Sequence, residues 1–375
     1  MASFIPQGGN DSAFWQLVQA ALTMQGFGSV PDFIENASQY WAEDENTWAT
    51  LFPQKQFGNL ERVFMQKKGT EYVPVIATYI ADDAQAPLLP NEGASMVGGN
   101  IPRMAARYGF NAKAYDDSLR LMSIMGDAAG LQSAFNAFTI DNIKLLSSIY
   151  NQRTFTALQA ESKGQYVTTA QNNAAGVKGV MVDFQVPATH KFKCGGVLSS
   201  NAQGKKYAWS SDSADPIGDL KDMYKFAWQN RVLPNMPERL VFRMSQTLYD
   251  VFKNQALVKK YIAISKIGNI DAANIPYVTI TDADVQNYLS GIGLPKIEVV
   301  KTFSFTPYID STSMEIKKAA RSAFDPNTVV LREAGAMGET RWYQVSNIFA
   351  DATSPMYYAN GGSIAVQQVS NASQR

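Results

Sequence analysis

The sequence predicts an α+β chain of more than one lobe, and three observations carry that prediction. Residues 127–163 read as one long helix. Residues 70–116 make two extended stretches around a tip rich in glycine and proline. From about residue 209 to 300 strand and helix signals alternate, and the last quarter is β-like. A chain of 375 residues exceeds one compact domain, and with 46% hydrophobic residues it can bury a substantial core.

Residues 1–10 read as an arm. Ser12 is placed to cap a short helix that carries Phe14, Trp15, Val18, Ala21 and Leu22 on one face, and Gly26 and Gly28 end it. Ser29-Val30-Pro31 starts a second helix, with Phe33, Ile34, Ala37, Tyr40 and Trp41 as its stripe. Trp15, Trp41 and Trp48 put much aromatic surface into this region, so it must lie on a body, its own or a neighbour's.

Glu71 to Ile80 is rich in β-branched and aromatic residues, with Pro74 marking an edge or a start. The tip follows, with Pro87, Pro90, Asn91, Gly93, Gly98, Gly99 and Asn100. A second extended stretch runs from Ile101 to Tyr115. Arms near twenty residues would reach roughly 60 Å. Such a hairpin costs ordering entropy and gains little burial alone, so it makes sense docked on another subunit.

Gly126-Asp127 opens the long helix and Lys163-Gly164 closes it. Leu131, Phe135, Phe138, Leu145, Ile149 and Leu158 recur along it, interrupted by Asn142 and Arg153. Residues 176–198 alternate as strands, with Val180, Val182, Phe184 and Val186 on one face. Asp215 and Pro216 cap and start a helix carrying Ile217, Leu220, Tyr224, Ala227 and Trp228. Leu240 to Met244 is a strand, and Ser245 caps a helix with Leu248, Val251 and Phe252. Val278 to Ile280 reads as a strand, Asp282 to Tyr288 as a helix and Lys296 to Val300 as a strand. Strands over Thr328 to Leu331, Trp342 to Val345 and Ile364 to Val366 complete the chain, and no internal repeat appears.

Charge narrows the functional classes. Lys plus Arg and Asp plus Glu number 33 each, so the net charge is zero; a dedicated nucleic-acid binder needs a basic excess. A neutral chain that merely encloses DNA is compatible with this balance. Charged residues make up only 18%, a surface that partner subunits would cover, and near-zero net charge favours self-association. The single Cys194 excludes an intramolecular disulfide and fits synthesis in a reducing cytoplasm. No apolar run approaches the roughly 18 residues of a membrane helix, and Met1 to Asn10 lacks the basic start and apolar core of a signal peptide.

The inventory for chemistry is thin. His190 is the one histidine and so the one imidazole base. Cys194 lies four positions on, which in a strand would put both on one face as an activated thiolate; a small thiol and a surface histidine is the simpler reading. One His and one Cys do not close a tetrahedral zinc site. Gly26-Phe27-Gly28 precedes a turn, and no phosphate-binding Gly-Lys-Ser/Thr motif or full dinucleotide fingerprint occurs. Glu43-Asp44-Glu45 reads as a solvated helix face, and Lys67-Lys68, Lys205-Lys206 and Lys259-Lys260 as surface pairs. No catalytic, cofactor-binding or metal-binding residue is therefore assigned, and no cofactor is expected.

The order of parts resembles the tailed double-stranded DNA bacteriophage major capsid proteins, the Hong Kong ninety-seven type fold, and within them the lambda-type major head protein family. Three stretches carry the likeness over residues 60–370. They are Asn100-Ile101-Pro102-Arg103 leading to the long helix; Trp209 through Asp215-Pro216-Ile217-Gly218-Asp219-Leu220 with Arg239 to Ser245; and Pro326 to Leu331 through Gly335-Ala336-Met337-Gly338. The resemblance implies an N-terminal arm with two short helices (1–57), an extended β-hairpin loop with flanks (58–120), a peripheral domain with its spine helix (121–208, helix 127–163), a mainly axial mixed α/β domain (209–340), and C-terminal strands returning to the peripheral domain (341–375). It implies a non-enzymatic structural protein of the virion, made in the host bacterial cytoplasm. Such a protein assembles with itself into pentamers and hexamers of an icosahedral shell, which encloses duplex DNA without sequence-specific binding. Scaffolding, portal and decoration proteins would be its partners, with no membrane. The N-terminal region is longer than a simple arm, and no highly charged segment of a fused scaffold is present. A cellular nanocompartment shell of encapsulin type shares this fold. A cytoplasmic hydrolase and another phage part, such as a tail-tube or minor head protein, are the remaining alternatives.

Overall fold

The computed structural model describes residues 13–29, 32–33, 36, 48–56, 63–67, 96–100, 116–117, 120, 123–124, 126–169, 179–194, 204–205, 207–230, 232–268, 278–301, 303–309, 316–342, 356–359 and 364–367. They form a mixture of helices and small sheets, an α+β architecture. Two compact units share the chain. One holds residues 1–41, 54–146 and 340–375, the other residues 42–53 and 147–339.

In the first unit, helix α1 (Ala13–Met24) buries Ala21 and Leu22, two of the residues its spacing assigned inward. Phe27 meets Phe33 edge-on at 5.3 Å, and Gln25 Nε2 donates to Gln132 Oε1 at 2.8 Å. Most of the predicted second helix lies outside the described residues. Strand β1 (Gln54–Gln56) runs parallel to a strand at Thr340–Trp342. Strands β2 (Val63–Lys67) and β3 (Met96–Asn100) pair antiparallel, Val63 opposite Asn100 and Lys67 opposite Met96. This register corrects the predicted tip: Gly98, Gly99 and Asn100 are part of a paired arm. The predicted strand 71–80 and the return stretch 101–115 lie outside the described residues.

The second unit is organised by one buried strand. Helix α2 (Trp48–Leu51) belongs to it, as does the C-terminal part of helix α3 (Asp127–Lys163). The bounds of α3 are those the sequence predicts, and its 37 residues span about 55 Å. Gly164 stops it at φ +71°, and a Cβ there would lie 2.7 Å from Val186, so only glycine fits. Strands β4 (Gln165–Thr168) and β5 (Gly179–Asp183) follow as an antiparallel pair. The predicted alternation through Phe184 and Val186 breaks off at Asp183. Gln185 takes φ +51°, so the strand ends there and Phe184 is exposed. Beyond it come a short 3-10 turn (Ala188–His190) and two paired two-residue strands, β6 (Lys193–Cys194) and β7 (Gly204–Lys205).

Helix α4 (Pro216–Gln229) starts as expected: Asp215 Oδ1 accepts from the Gly218 amide at 3.0 Å, and Pro216 sits at the first helical position. Strand β8 (Leu240–Ser245) is then followed by helices α5 (Gln246–Asn254), α6 (Ala256–Ile267) and α7 (Asp282–Gly291), and by strand β9 (Lys296–Val300). Because β8 and β9 are parallel, the chain needs these helices to cross over. Val278 to Ile280 forms no strand. It leads directly into the capping box of Thr281 and Asp284 at the start of α7. Strands β10 (Phe303–Ile309) and β11 (Ile316–Ser322) form a hairpin ladder, and β12 (Val329–Glu333) joins β8 antiparallel. The strand at Thr340–Trp342 is β13, and β14 (Met356–Ala359) pairs with β15 (Ile364–Gln367).

All six residues of β8 are buried, so both its faces are covered. Leu240, Phe242 and Met244 belong to a core with Ile217, Leu220, Phe252, Ile262, Val285 and Leu289 from the helices. A second core joins Leu51, Phe155, Leu158 and Tyr166 to Val300, Ala323 and Phe324. Trp48 is buried on its own chain, stacked on Tyr150 at 6.3 Å, with the Arg153 guanidinium 4.9 Å from its ring. Burial lowers the Arg153 pKa, with Tyr150 opposing.

Candidate functional site

His190 and Cys194 are not brought together as a catalytic pair. His190 ends a 3-10 turn rather than sharing a strand face with Cys194, so the spacing argument for a dyad loses its premise. His190 meets Phe226 edge-on at 6.2 Å, whereas Cys194 Sγ points to Asp219 Oδ2 at 3.8 Å. Phe226 and Asp219 are two turns apart on α4, about 10 Å. Asp219 Oδ2 also accepts from Trp209 Nε1 at 2.9 Å, which fixes that carboxylate structurally. Among the described residues no group of three or more His, Cys, Asp or Glu could hold a metal ion, and no helix is long and apolar enough to cross a membrane.

A cluster of buried charge lies elsewhere among the described residues. Glu161, in the last turn of α3, is fully enclosed at its side chain. Its Oε1 takes both Arg332 Nε at 2.7 Å and Arg243 Nε at 2.8 Å. Arg243 stands on the central strand β8 and Arg332 on β12, both under a tenth exposed. The Arg243 contact is an ion pair off the hydrogen-bond line, and Glu161 Oε2 has no donor among the described residues. Arg243 Nη1 also reaches Glu298 Oε2 on β9 at 3.2 Å, and Lys296 holds the other Glu298 oxygen at 3.0 Å. Burial pushes the Glu298 pKa up, but Lys296 and Arg243 outweigh it and the net shift is downward. Arg332 Nη1 donates to the carbonyls of Glu333 and Gly335 at 2.6 and 2.9 Å.

Around this cluster the end of α3 is bolted to the chain before β12. Gln159 Nε2 donates to the Ala323 carbonyl at 2.8 Å, Ser162 Oγ accepts from the Asp325 amide at 3.1 Å, and Lys163 pairs with Asp325 at 3.2 Å. The arrangement joins the end of α3 to strands β8, β9 and β12 through buried charge. Its chemistry is mechanical: three strands and the long helix are fixed in one register by hydrogen-bonded charge. The sequence contained a signal for it that motif searching passes over, namely one arginine inside each of two apolar strands, LVFRMS and VVLRE.

A second electrostatic set anchors α7. Asp282 accepts from Lys253 Nζ at 2.7 Å and from the Tyr249 hydroxyl at 3.1 Å, and Lys253 leads the causes that lower its pKa. Burial first, then Asp282, raises the Tyr249 pKa. Lys266 holds Asp284 at 2.7 Å and, with Thr281, pulls its pKa down to about 2. At the surface of the same unit Phe184, Tyr207, Trp228, Met236, Ile264, Ile267 and Met337 stand exposed.

No family model and no curated protein matches the chain. Solved structures similar to it include the following two. One is a phage-related protein from Bordetella bronchiseptica RB50, at TM-score 0.39 and 12% identity over 88% of this chain and 83% of that one. The other, from E. coli CFT073, is the proposed capsid protein of a prophage, at TM-score 0.35 and 14% identity over 71% of this chain and 67% of that one. Both scores lie below 0.5, and the functional reading rests on the chain's own residues.

Proposed function

We propose that this chain is a structural shell subunit, the major capsid protein of a tailed double-stranded DNA bacteriophage. Copies of it would form pentamers and hexamers, with scaffolding, portal and decoration proteins as further partners. The observation that carries the reading is the ladder of β2 and β3, which closes residues 68–95 between paired arms. Ordering an excursion of that length costs about 1–2 kcal/mol per residue in backbone entropy alone. Docking across a neighbouring copy would supply the burial to offset it, and heterologous contacts close into rings where the rotation allows. The order of parts agrees: hairpin base, long helix, mixed sheet, late strands. So do the exposed Trp228, Met236, Ile264 and Ile267 on a chain of low charge. The clamp on Glu161 suits a subunit that has to transmit load between a long helix and a sheet.

The test is electron microscopy of the recombinant protein, alone and co-expressed with its natural partners, beside a variant lacking residues 70–93. The wild type should give closed shells with five- and six-fold rings. The variant, which keeps both strands of the ladder, should fold and stay unassembled. A wild type that remains monomeric at every concentration and with its partners overturns the reading, as do particles of normal form from the variant. Shells that enclose cargo protein instead of DNA would assign the chain to the nanocompartments.

A further inference from the structure

We propose that Gln286 guards the outer edge of strand β9, occupying the backbone groups with which the β9 of a second copy would pair. In the sheet of β12, β8 and β9, β8 is central, and among the described residues no strand lies on the other side of β9. Ile297, Val299 and Val300 make β9 rich in β-branched residues, and Lys296 and Glu298 cancel in charge. A short run of high β-propensity and no net charge at a sheet edge is a template for pairing with another chain.

The side chain of Gln286 meets that hazard directly. Its Nε2 donates to the Ile297 carbonyl at 2.7 Å, and the Ile297 amide donates to its Oε1 at 3.1 Å. A primary amide carries an acceptor and a donor in one plane, as a peptide group does, so it answers both backbone groups of one residue. Helix α7 sets it there. Val285 and Leu289 are buried in the same core as Ile297. Gln286 follows Val285 by about 100° around the helix, which turns it from the core face to the rim of the sheet.

The alternation of the strand fixes what is blocked. Ile297 turns both its groups to Gln286 rather than to β8, so Ile297 and Val299 are the outward residues of β9. Pro295, just before the strand, has no N–H to offer. An antiparallel pairing of two copies about a two-fold axis at Glu298 would set Ile297 of each opposite Val299 of the other. Each hydrogen bond of that ladder uses an Ile297 group, so the amide of Gln286 blocks all of it. Glu298 would face its counterpart there, but its oxygens are held by Arg243 and Lys296, which mutes the repulsion of like charges. The guard is therefore the part of the edge that keeps copies apart.

The experiment compares wild type with Gln286→Met, which keeps the length of the side chain and removes both polar atoms. Losing two hydrogen bonds of ordinary strength raises exposure of the edge roughly 10–100-fold. Full-length protein at equal concentration, with shell-sized particles removed first, is followed by thioflavin T fluorescence and sedimentation. Q286M should form thioflavin-positive aggregates at least about tenfold faster than wild type, and its Ile297 amide should exchange with solvent deuterons about tenfold faster. The Phe242 amide, inside the sheet, should exchange as before. The control is Gln159→Met, the same replacement at an amide that donates to the Ala323 carbonyl away from any strand edge. It should aggregate at the wild-type rate. If Q286M fails to fold, Gln286→Asn, whose shorter stem cannot reach both groups, takes its place with the same expectations. Aggregation no faster than wild type, equal acceleration in Q159M, or an unchanged Ile297 amide overturns the proposal. The proposal is independent of the shell reading, and the failure of either leaves the other standing.

Discussion

Replacing Glu161 by glutamine removes one charge from a site where two guanidiniums converge on one oxygen, at 2.7 and 2.8 Å and under a tenth exposed. The shape is kept and the charge is lost. Arg243 retains Glu298, which is partly solvated, and Arg332 retains only the carbonyls of Glu333 and Gly335. Stranding a buried ionic partner costs about 3–5 kcal/mol. For a unit of this size each kcal/mol moves the thermal midpoint by about 2–4 °C, so E161Q should melt roughly 6–20 °C below wild type. The informative comparison is the triple variant Glu161→Leu/Arg243→Met/Arg332→Met. It strands no enclosed charge, since Lys296 still holds Glu298 at the surface and water can reach the exposed Glu333 and Gly335. Its midpoint should lie at or above wild type, because apolar replacement of a buried ionic triad is often neutral or stabilising by about 1–4 kcal/mol. The assay is a melt followed by near-ultraviolet circular dichroism, with Trp209 in the core of the second unit as reporter. A loss under about 2 °C for E161Q, or a triple variant that melts as low as the single one, would refute the account of the clamp.

Two further outcomes follow from local geometry. Asp215→Ala should cost about 1 kcal/mol in urea denaturation by removing the cap of α4. Gly218→Ala should cost a similar amount, because its Cβ would fall 2.5 Å from Asp215 Oδ2 and displace the cap; the two losses should not add. Asp284 is held below its unfolded value, at about 2, so its contribution is present above the unfolded pKa and lost as pH falls through about 2. The melting difference between wild type and Asp284→Asn should therefore be constant above about pH 5 and vanish as pH falls toward 2.

The sequence disclosed those elements whose ends are written locally. Helix α3 lies between Gly126 at φ +94° and Gly164 at φ +71°, and α4 and α5 begin on the side chains of Asp215 and Ser245. Helix α6 escaped notice because its cap is Gln255, outside the usual capping set, whose Oε1 accepts from Val258 while its Nε2 donates to Ala214. The β10–β11 hairpin escaped too, although Phe303, Phe305 and Ile309 alternate before the polar run 310–313. The parallel pair of β1 and β13 and the register that draws Gly98–Asn100 into a strand depend on partners far along the chain. The same holds for the Glu161 clamp. Its sequence trace, one arginine in each apolar strand, says that a buried partner exists and leaves open which carboxylate it is.

That separation bears on synthesis. Glu161 and Arg332 are 171 residues apart. At about 5–20 residues per second, the ribosome delivers the second arginine roughly 9–34 s after the carboxylate. Until then the helix end stays wet, the central strand lacks a neighbour on one edge, and a truncated polypeptide has no means of acquiring the finished geometry. The clamp therefore forms only after the chain has been made through Arg332, and a polypeptide that ends earlier lacks it.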